Sequence, residues 1–389
     1  MQGGAASGGH TAGSGTEAGA GGAAVSADAG QGGTADDEPG SDAGAAGQSD
    51  EPAGKIGFTP SNVADSEVVT SGVGDCVFSK PSCQIDTSSG TMSCQSGTAA
   101  PYRYAKITQT MGGIKAGLFV CHDVIIESAS SVKVTGELPL VLVATGKIQI
   151  VGLLSATASH STAVAGGFAV AGSNSKGTGP GGGSPGASDR GASGGGYCGE
   201  GGPGGISPML SQGGPAFGTA ELIPLLGGSS GGSDRTRGGA GGGAIQLVAA
   251  QSIAIELTGV VAAGGGGADG NSANGPGGGS GGAILLEAPT VSVAGILAVN
   301  GGGGGQGSCS SGGADANPDA TAALGGGTVG GPGSAGTTLT GGAALAADGG
   351  GGGGAGRIRI NTANGNAMLS GTLSPAASTT CVTQGRIGG

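Results

Sequence analysis

The sequence predicts an all-β protein: a parallel β-solenoid (β-helix-like) with long glycine-rich loops leaving one edge, preceded by a disordered tail. Three observations point to this class. Glycine supplies 99 of the 389 residues. The apolar residues are gathered into short blocks in which they alternate with a period of two, and these blocks recur along the chain. A wholly disordered chain has no reason to group its apolar residues in this way.

The tail is the first element of the prediction. Residues 1–55 contain Gly, Ala, Ser and acids without periodicity, which predicts a disordered acidic spacer. The first residues have neither the basic start nor the apolar stretch of a signal peptide. We therefore expect that an export signal has been removed or is encoded upstream. The net charge is −11, and no basic patch is present to replace the counterions of a nucleic acid. No apolar run approaches the ~20 residues of a transmembrane segment.

Residues 56–117 follow as a cysteine-containing N-terminal capping segment. Cys76, Cys83, Cys94 and Cys121 cluster here and just beyond it, without the close pairs typical of zinc sites. This arrangement predicts two local disulfides of undetermined pairing, with free or metal-bound thiols as the alternative. Disulfides would place the protein outside the cell or on its outer surface.

Residues 118–389 are predicted to form the solenoid. Four blocks, at 138–158, 243–267, 282–305 and 356–378, share a plan of short strands separated by tight corners. The alternation predicts one inward-facing ladder: Leu140, Leu142, Ile148, Ile150, Leu154, Ile245, Leu247, Ile253, Ile255, Val261, Ile284, Leu286, Val291, Val293, Leu297, Ile358, Ile360 and Leu373. The alternative is a meander of hairpins, which the scarcity of hairpin turn signals disfavours.

The residues between the inward positions are expected to face outward. Gln246 and Glu287 are two of them. On this register Ile284→Asp should be costly, because a lone carboxylate would enter the core, whereas Gln246→Asp should cost little.

The glycine-rich segments 159–242, 268–281 and 306–355 all leave the same corner of the repeat. One hypothesis is that they lie side by side as polyproline II helices that hydrogen-bond to one another. The alternative is three mobile, solvated loops. Cys198 and Cys309 fall in these segments, and a disulfide between them would leave Cys381 as a free thiol; unpaired cysteines are the alternative.

Two groups of residues are candidates for catalysis. Parallel β-helices include polysaccharide lyases and hydrolases, which use grouped carboxylates. Glu256 and Glu287 fall at different positions of the repeat and do not form an evident pair. His122 and Asp123 suggest a base and its orienting carboxylate, but no nucleophile motif accompanies them, and a solvent-facing or satisfied histidine is favoured.

Two further patterns are candidates for binding. Asp269, Asp315 and Asp319 lie in stretches similar to calcium-binding repeats that lack the required apolar position, so they are predicted to be turn residues. The tripeptide Ser-Asp-Arg occurs at 188–190 and 233–235, either as capped turns or as polar contacts on an adhesive tip. No catalytic, cofactor-binding or metal-binding residue is assigned.

The linked blocks, the acidic tail and the ending GGGGGGAGRIRINTANG…SGTLSP resemble glycine-rich, β-helix-like exported proteins and predicted lipoproteins of predatory soil bacteria. This resemblance implies a surface location and an adhesive or structural role, and it supplies no catalytic residues. We expect a non-enzymatic cell-surface or secreted structural or adhesive protein without a cofactor, with surface glycans or other cell-envelope components as partners. The alternatives are a β-helical polysaccharide-active enzyme and an ice- or mineral-binding module.

Overall fold

Nearly all the regular structure of the protein is β-strand. The computed structural model describes residues 56–94, 101–206, 208–270, 273–308 and 311–388. The predicted spacer, residues 1–55, lies outside these ranges. Within them one 3-10 turn, Asp65–Glu67, is the only helical element. The strands are β1 (Cys76–Phe78), β2 (Cys83–Asp86), β3 (Thr91–Cys94), β4 (Arg103–Thr108), β5 (Lys115–Cys121), β6 (Val124–Ile126), β7 (Ser131–Thr135), β8 (Leu140–Ala144), β9 (Lys147–Ile150), β10 (Leu153–Ser155), β11 (Gly204–Ile206), β12 (Met209–Ser211), β13 (Ala244–Ala249), β14 (Ser252–Ile255), β15 (Val260–Ala262), β16 (Ala283–Glu287), β17 (Thr290–Val293), β18 (Ile296–Ala298), β19 (Arg357–Thr362), β20 (Met368–Leu369), β21 (Thr372–Ser374) and β22 (Val382–Arg386).

The strands of each block are distributed over three large sheets. Sheet 1 has the order β1-β6-β9-β14-β17-β20, sheet 2 the order β21-β18-β15-β10-β7-β2-β3, and sheet 3 the order β22-β19-β16-β13-β8-β5-β4. Equivalent strands of successive blocks pair in parallel and in register. In sheet 3, for example, Leu142 pairs with Leu247, which pairs with Leu286, which pairs with Ile360.

The predicted inward ladder is confirmed. Every residue assigned to it from the sequence is buried, and all of them belong to one hydrophobic cluster. Within that cluster, Ile284 has no exposed surface. The two-residue alternation therefore identified the core correctly, because side chains two apart on a strand lie on the same face of the sheet.

The predicted fold class is wrong. Two of the large sheets are mixed, since β2 pairs with β3 and β4 pairs with β5 in antiparallel fashion. A further sheet, of β11 and β12, is entirely antiparallel. The glycine-rich segments are also not free loops: among the described residues they contain only the strands β11 and β12, yet their glycine runs at 191–197, 227–232, 238–242, 275–281 and 349–355 are buried. The described chain forms stacked sheets, one parallel and two mixed, joined to a glycine-rich layer with little β-structure, and it is not a plain all-β solenoid.

The outer face of sheet 3 is also buried, contrary to expectation. Gln246 and Glu287 were predicted to face outward, but neither has any exposed surface. The chain covers this face with two segments. Ile56 and Val63 from the first, and Leu222 and Leu225 from the second, form a second hydrophobic cluster with the apolar outward residues of β5, β8, β13 and β16. Polar residues at these positions are thus interior hydrogen-bonding groups and not solvent-facing ones.

The glycine-rich segments bond to one another in a regular pattern, as hypothesised. In segment 277–282, consecutive backbone N–H groups donate to three different neighbouring segments, and the same neighbour is reached again after three residues. The N–H groups of 277 and 280 donate to the carbonyls of 232 and 229, those of 278 and 281 to 351 and 354, and those of 279 and 282 to 266 and 263. A repeat of three residues per turn is that of a polyproline II helix, whose backbone groups all point sideways. Each such helix therefore bonds to three neighbours.

Segment 350–355 follows the same rule. Its donors at 350 and 353 reach the carbonyls of 305 and 302, those at 351 and 354 reach 192 and 195, and those at 352 and 355 reach 342 and 339. We call the set of segments joined by these bonds the glycine layer. A mobile loop would leave its backbone groups to water, whereas here they are satisfied within the protein.

Glycine is required at many positions of this layer because the backbones approach one another too closely there for a side chain. A Cβ atom built on Gly194, Gly282 or Gly353 would lie 1.8 Å from a carbonyl oxygen of the neighbouring segment. Because every face of the helix meets another backbone, positions on all three faces have this restriction. This explains why the chain uses runs of glycine and not a mixed polar linker.

The described part of the chain contains three disulfides. Cys76–Cys121 and Cys83–Cys94 confirm the prediction of two local bridges in the N-terminal part. The predicted pairing of Cys198 with Cys309 is wrong, because Cys198 is bonded to Cys381, which was expected to be a free thiol. Cys309 lies outside the described residues. The reason is the path of the chain: Cys198 bonds through its N–H to Ala355, just before β19, and Ile358 in β19 bonds to Cys381.

Candidate functional site

One corner of the fold carries a compact group of metal-ligating side chains, those of Asp75, His122 and Asp123. Asp75 directly precedes β1, and His122 and Asp123 form the turn between β5 and β6. Since β1 and β6 are neighbours in sheet 1, the two short segments lie side by side. The disulfide Cys76–Cys121 joins the residues that adjoin Asp75 and His122. We call these three side chains the corner cluster.

The side chains of the corner cluster contact one another directly. His122 Nδ1 lies 2.8 Å from Asp75 Oδ1 and 3.9 Å from Asp123 Oδ1. The backbone N–H of Asp123 donates to Asp75 Oδ1 (3.2 Å), and that of Lys147 donates to Asp123 Oδ1 (2.8 Å). One possible ligand atom from each of the three side chains lies within 4.8 Å of the others. In the described part of the chain no other three such side chains come this close.

The electrostatics of the corner cluster favour an ionised carboxylate. The hydrogen bond with the His122 side chain lowers the pKa of Asp75 from its ordinary value, against the opposing effect of partial burial. The backbone N–H of Asp123 and the charge of Lys147 lower it further. The side chains of His122 and Asp75 are 58% and 53% exposed, so solutes have access to them. The corner cluster can therefore exchange a proton or accept a cation.

Sequence reasoning singled out His122 and Asp123 but missed Asp75. The signal that could have found it is the position of these residues beside cysteines. Once Cys76 and Cys121 are taken as a pair, Asp75 must lie next to His122, because their neighbours are covalently joined. The pairing of four clustered cysteines cannot be derived from their spacing alone.

Of the aspartates in the stretches similar to calcium-binding repeats, Asp319 serves as a turn residue, as predicted, whereas Asp315 and Asp269 bond to residues that are distant in sequence. Asp315 Oδ1 accepts the N–H groups of His160 (2.6 Å) and Gly267 (2.8 Å). Asp319 Oδ1 accepts the N–H of Thr321 (2.7 Å), and the hydrogen bonds from Thr321 lower the pKa of Asp319. Asp269 lies 3.4 Å from Arg237. The structure does not bring the three carboxylates together into one cluster.

The two Ser-Asp-Arg tripeptides have different environments. In the first, Asp189 and Arg190 lie 3.6 Å apart, and the turn is closed by a bridge between Ala187 and Arg190. In the second, Asp234 is buried and accepts the N–H of Asn274 (3.1 Å). Both tripeptides thus lie at turns or bends of the glycine-rich segment 159–242.

Glu256 and Glu287, which were weighed as a catalytic pair, are not brought together. Glu256 accepts a hydrogen bond from Gln149 (3.1 Å). Glu287 is fully buried and accepts hydrogen bonds from Ser61, Gln246 and Asn361. Its carboxylate is therefore occupied as a structural acceptor.

A shallow groove lies on the outer side of β4 and β5. Its volume is about 280 Å³, and its lining includes Glu67, Val69, Arg103 and Tyr104. Glu67 is the one carboxylate that lines it. Glycoside hydrolysis ordinarily uses a pair of carboxylates, and this groove presents a single one.

No protein-family model, curated protein or solved structure matches the chain. Among the described residues there is no helix long and apolar enough to cross a bilayer.

Proposed function

We propose that the chain is a non-enzymatic structural or adhesive protein, located on an outer cell surface or secreted. The glycine layer is the observation that carries this proposal. A set of helices bonded to one another through their backbones forms a stiff body, and long glycine runs in that body have no side chains with which to perform chemistry. A stiff body of this kind is suited to a mechanical or adhesive role.

The three disulfides support the proposed location. Disulfides persist in oxidising compartments and are rare in the cytosol, so they indicate an oxidising, extracellular type of environment. The bridge Cys198–Cys381 ties the glycine layer to the last strand of sheet 3. A surface protein that bears load gains from such a covalent connection between its two layers.

One exposed part of the glycine layer offers the contact surface. There β11 and β12 form a hairpin whose residues Ile206, Met209 and Leu210 are each close to half exposed. Apolar side chains exposed together at a protruding turn are typical of interaction surfaces. We infer that this hairpin contacts a component of the cell envelope, with surface glycans as one class of partner.

The test is attachment of the purified protein to an outer-envelope preparation of the producing organism. Beads coated with the protein should bind, and the double variant Met209→Ser/Leu210→Ser should bind several-fold less. Leu257→Ser is the matched control, because Leu257 is 80% exposed at the turn between β14 and β15, away from the hairpin. Equal binding by all three proteins, or by beads coated with albumin, would refute the adhesive role of the hairpin.

A further inference from the structure

We propose that Asp75, His122 and Asp123 form a binding site for a divalent transition-metal cation, with Zn²⁺ as the reference ion. The proposal rests on the geometry of the corner cluster and does not depend on the proposed surface role. A metal site and an adhesive surface can be tested, and can fail, independently.

The donor set identifies the class of ion. An imidazole nitrogen suits zinc, copper and nickel, whereas calcium and magnesium select all-oxygen sites. Zinc bound tetrahedrally at about 2.0–2.2 Å separates its ligand atoms by roughly 3.4 Å. The distances from His122 Nδ1 to the two carboxylate oxygens, 2.8 and 3.9 Å, lie on either side of this value. The side chains of His122 and Asp75 are more than half exposed and free to adjust, whereas Asp123 is 19% exposed and held in place.

The backbone that carries the ligands is fixed on both sides. Cys76 and Cys121 form a disulfide between the two ligand-bearing segments. The N–H of Cys76 also donates to the carbonyl of Asp123 (2.8 Å), and the N–H of His122 donates to that of Gly74 (2.8 Å). The backbone of the site is therefore already ordered in the folded protein, so ion binding does not have to order it, and this favours binding.

The next turn of the chain supports Asp123. A Cβ atom on Gly146 would lie 2.0 Å from Asp123 Oδ1, so glycine leaves the room that this carboxylate occupies. The following N–H, that of Lys147, donates to the same oxygen. Outer hydrogen bonds of this kind orient ligands in metal sites.

The proposed site is open on its solvent side. Three protein ligands leave at least one position of a zinc ion free for water or for an oxygen donor of a partner. In the bound state His122 Nδ1 carries no hydrogen and the ring keeps its proton on Nε2. The ion then replaces the hydrogen bond between Nδ1 and Asp75 Oδ1.

A second histidine–aspartate pair provides a natural control. His160 Nδ1 lies 3.9 Å from Asp315 Oδ1, and the two side chains are 55% and 30% exposed. No third ligand of the required type comes close enough to them in the described part of the chain. This pair has the same residue types as the corner cluster but lacks its third ligand.

The test is calorimetric titration of the full, disulfide-bonded chain with ZnCl₂. We expect one site, weakened at least tenfold by His122→Gln or Asp75→Asn and changed less than twofold by His160→Gln. Lys147→Gln keeps the backbone donor and removes a nearby positive charge, so it should tighten binding a few-fold. Mg²⁺ should not compete at tenfold excess. Absence of binding, or an affinity that His122→Gln leaves unchanged, would overturn the proposal.

A spectroscopic measurement covers the case in which a variant fails to fold. In the unmodified protein labelled with ¹⁵N at histidine, Zn²⁺ should shift the Nδ1 resonance of His122 and not that of His160. If the His122 resonances stay in place at saturating ZnCl₂, the proposal is refuted whatever the variants do.

Discussion

Ser61 donates both its backbone N–H (3.1 Å) and its hydroxyl (2.7 Å) to the buried carboxylate of Glu287, 226 residues further along the chain. Gln246 (2.7 Å) and Asn361 (3.0 Å) donate to the remaining positions of the same carboxylate. A buried carboxylate is tolerated when its lone pairs are satisfied in this way. The hydrogen bonds from Ser61 hold the N-terminal segment of the described chain on the outer face of sheet 3.

We expect Ser61→Ala to lower the free energy of unfolding by about 1.5–3 kcal/mol, because it removes a hydrogen bond to a charged group that is shielded from water. Ser128→Ala is the control: Ser128 is exposed in the turn after β6 and should give a change within about 0.5 kcal/mol. Denaturant unfolding of both variants measures the difference. Equal stabilities would mean that the contact with Glu287 contributes little.

The close backbone contacts in the glycine layer predict that a single added methyl group destabilises the protein. Gly353→Ala should destabilise the protein by about 1–3 kcal/mol or more, since the added carbon would lie 1.8 Å from the carbonyl oxygen of Gly279. Gly172→Ala is the matched control, because nothing lies within 4 Å of the Cβ position at Gly172. That change should be neutral or stabilising by about 0.4–1 kcal/mol through the unfolded state. Thermal unfolding of the two variants distinguishes these signs, and indistinguishable midpoints would argue against the close backbone contacts.

Tyr197 gives the stability a dependence on alkaline pH. Burial raises the pKa of Tyr197 above its ordinary value of 10.0, and the opposing influence of Arg357 does not reverse the shift. A raised pKa means that the folded state keeps a proton which the unfolded state has lost. The stability linked to Tyr197 is therefore fully present below pH 10 and is lost as the pH rises above it.

Denaturant titrations between pH 8 and pH 11 measure this effect. We expect the unfolding free energy of the unmodified protein to fall more steeply above pH 10 than that of Tyr197→Phe. The phenylalanine variant starts lower, since it also loses the hydrogen bond from the hydroxyl to the carbonyl of Leu226 (3.1 Å). Parallel curves would contradict the assignment to Tyr197.

The long-range disulfide can be tested by mass mapping of a non-reduced digest. The peptide that contains Cys198 should be linked to the one that contains Cys381. Because the bridge closes a loop of 183 residues, Cys198→Ser/Cys381→Ser should cost about 2–5 kcal/mol of stability. A link from Cys198 to any other cysteine contradicts the path of the chain at β19 and β22.

The sequence was informative where residues follow a local period. Two-residue alternation identified Ile284 and its equivalents as core, because the pleat of a strand imposes that period on any sheet. It could not show that Gln246 and Glu287 are also buried. Their burial depends on Ser61 and on Leu222, which lie far away in sequence and reach sheet 3 only through the folded path of the chain.

The fold class was mispredicted for a related reason. A strand pattern does not state the direction in which its neighbour runs, so the antiparallel pairs of β2 with β3 and of β4 with β5 were not foreseen. The corner cluster shows the same limit: Asp75 and His122 become neighbours only through the bridge Cys76–Cys121. Glycine runs, in contrast, revealed the close approach of backbones, since few other sequences permit it.

Amide hydrogen exchange across the glycine layer tests the central claim most directly. The amides of 277–282 and 350–355 each donate to a carbonyl of a neighbouring segment, so they should exchange more slowly than unstructured glycine by several orders of magnitude, as β13 and β16 should. The exposed residues 172 and 173 serve as the internal reference for fast exchange. Slow exchange in both glycine segments is the result expected of an ordered, laterally bonded layer. Exchange there at the rate of the reference turn would show that the segments are solvated loops and would contradict the account.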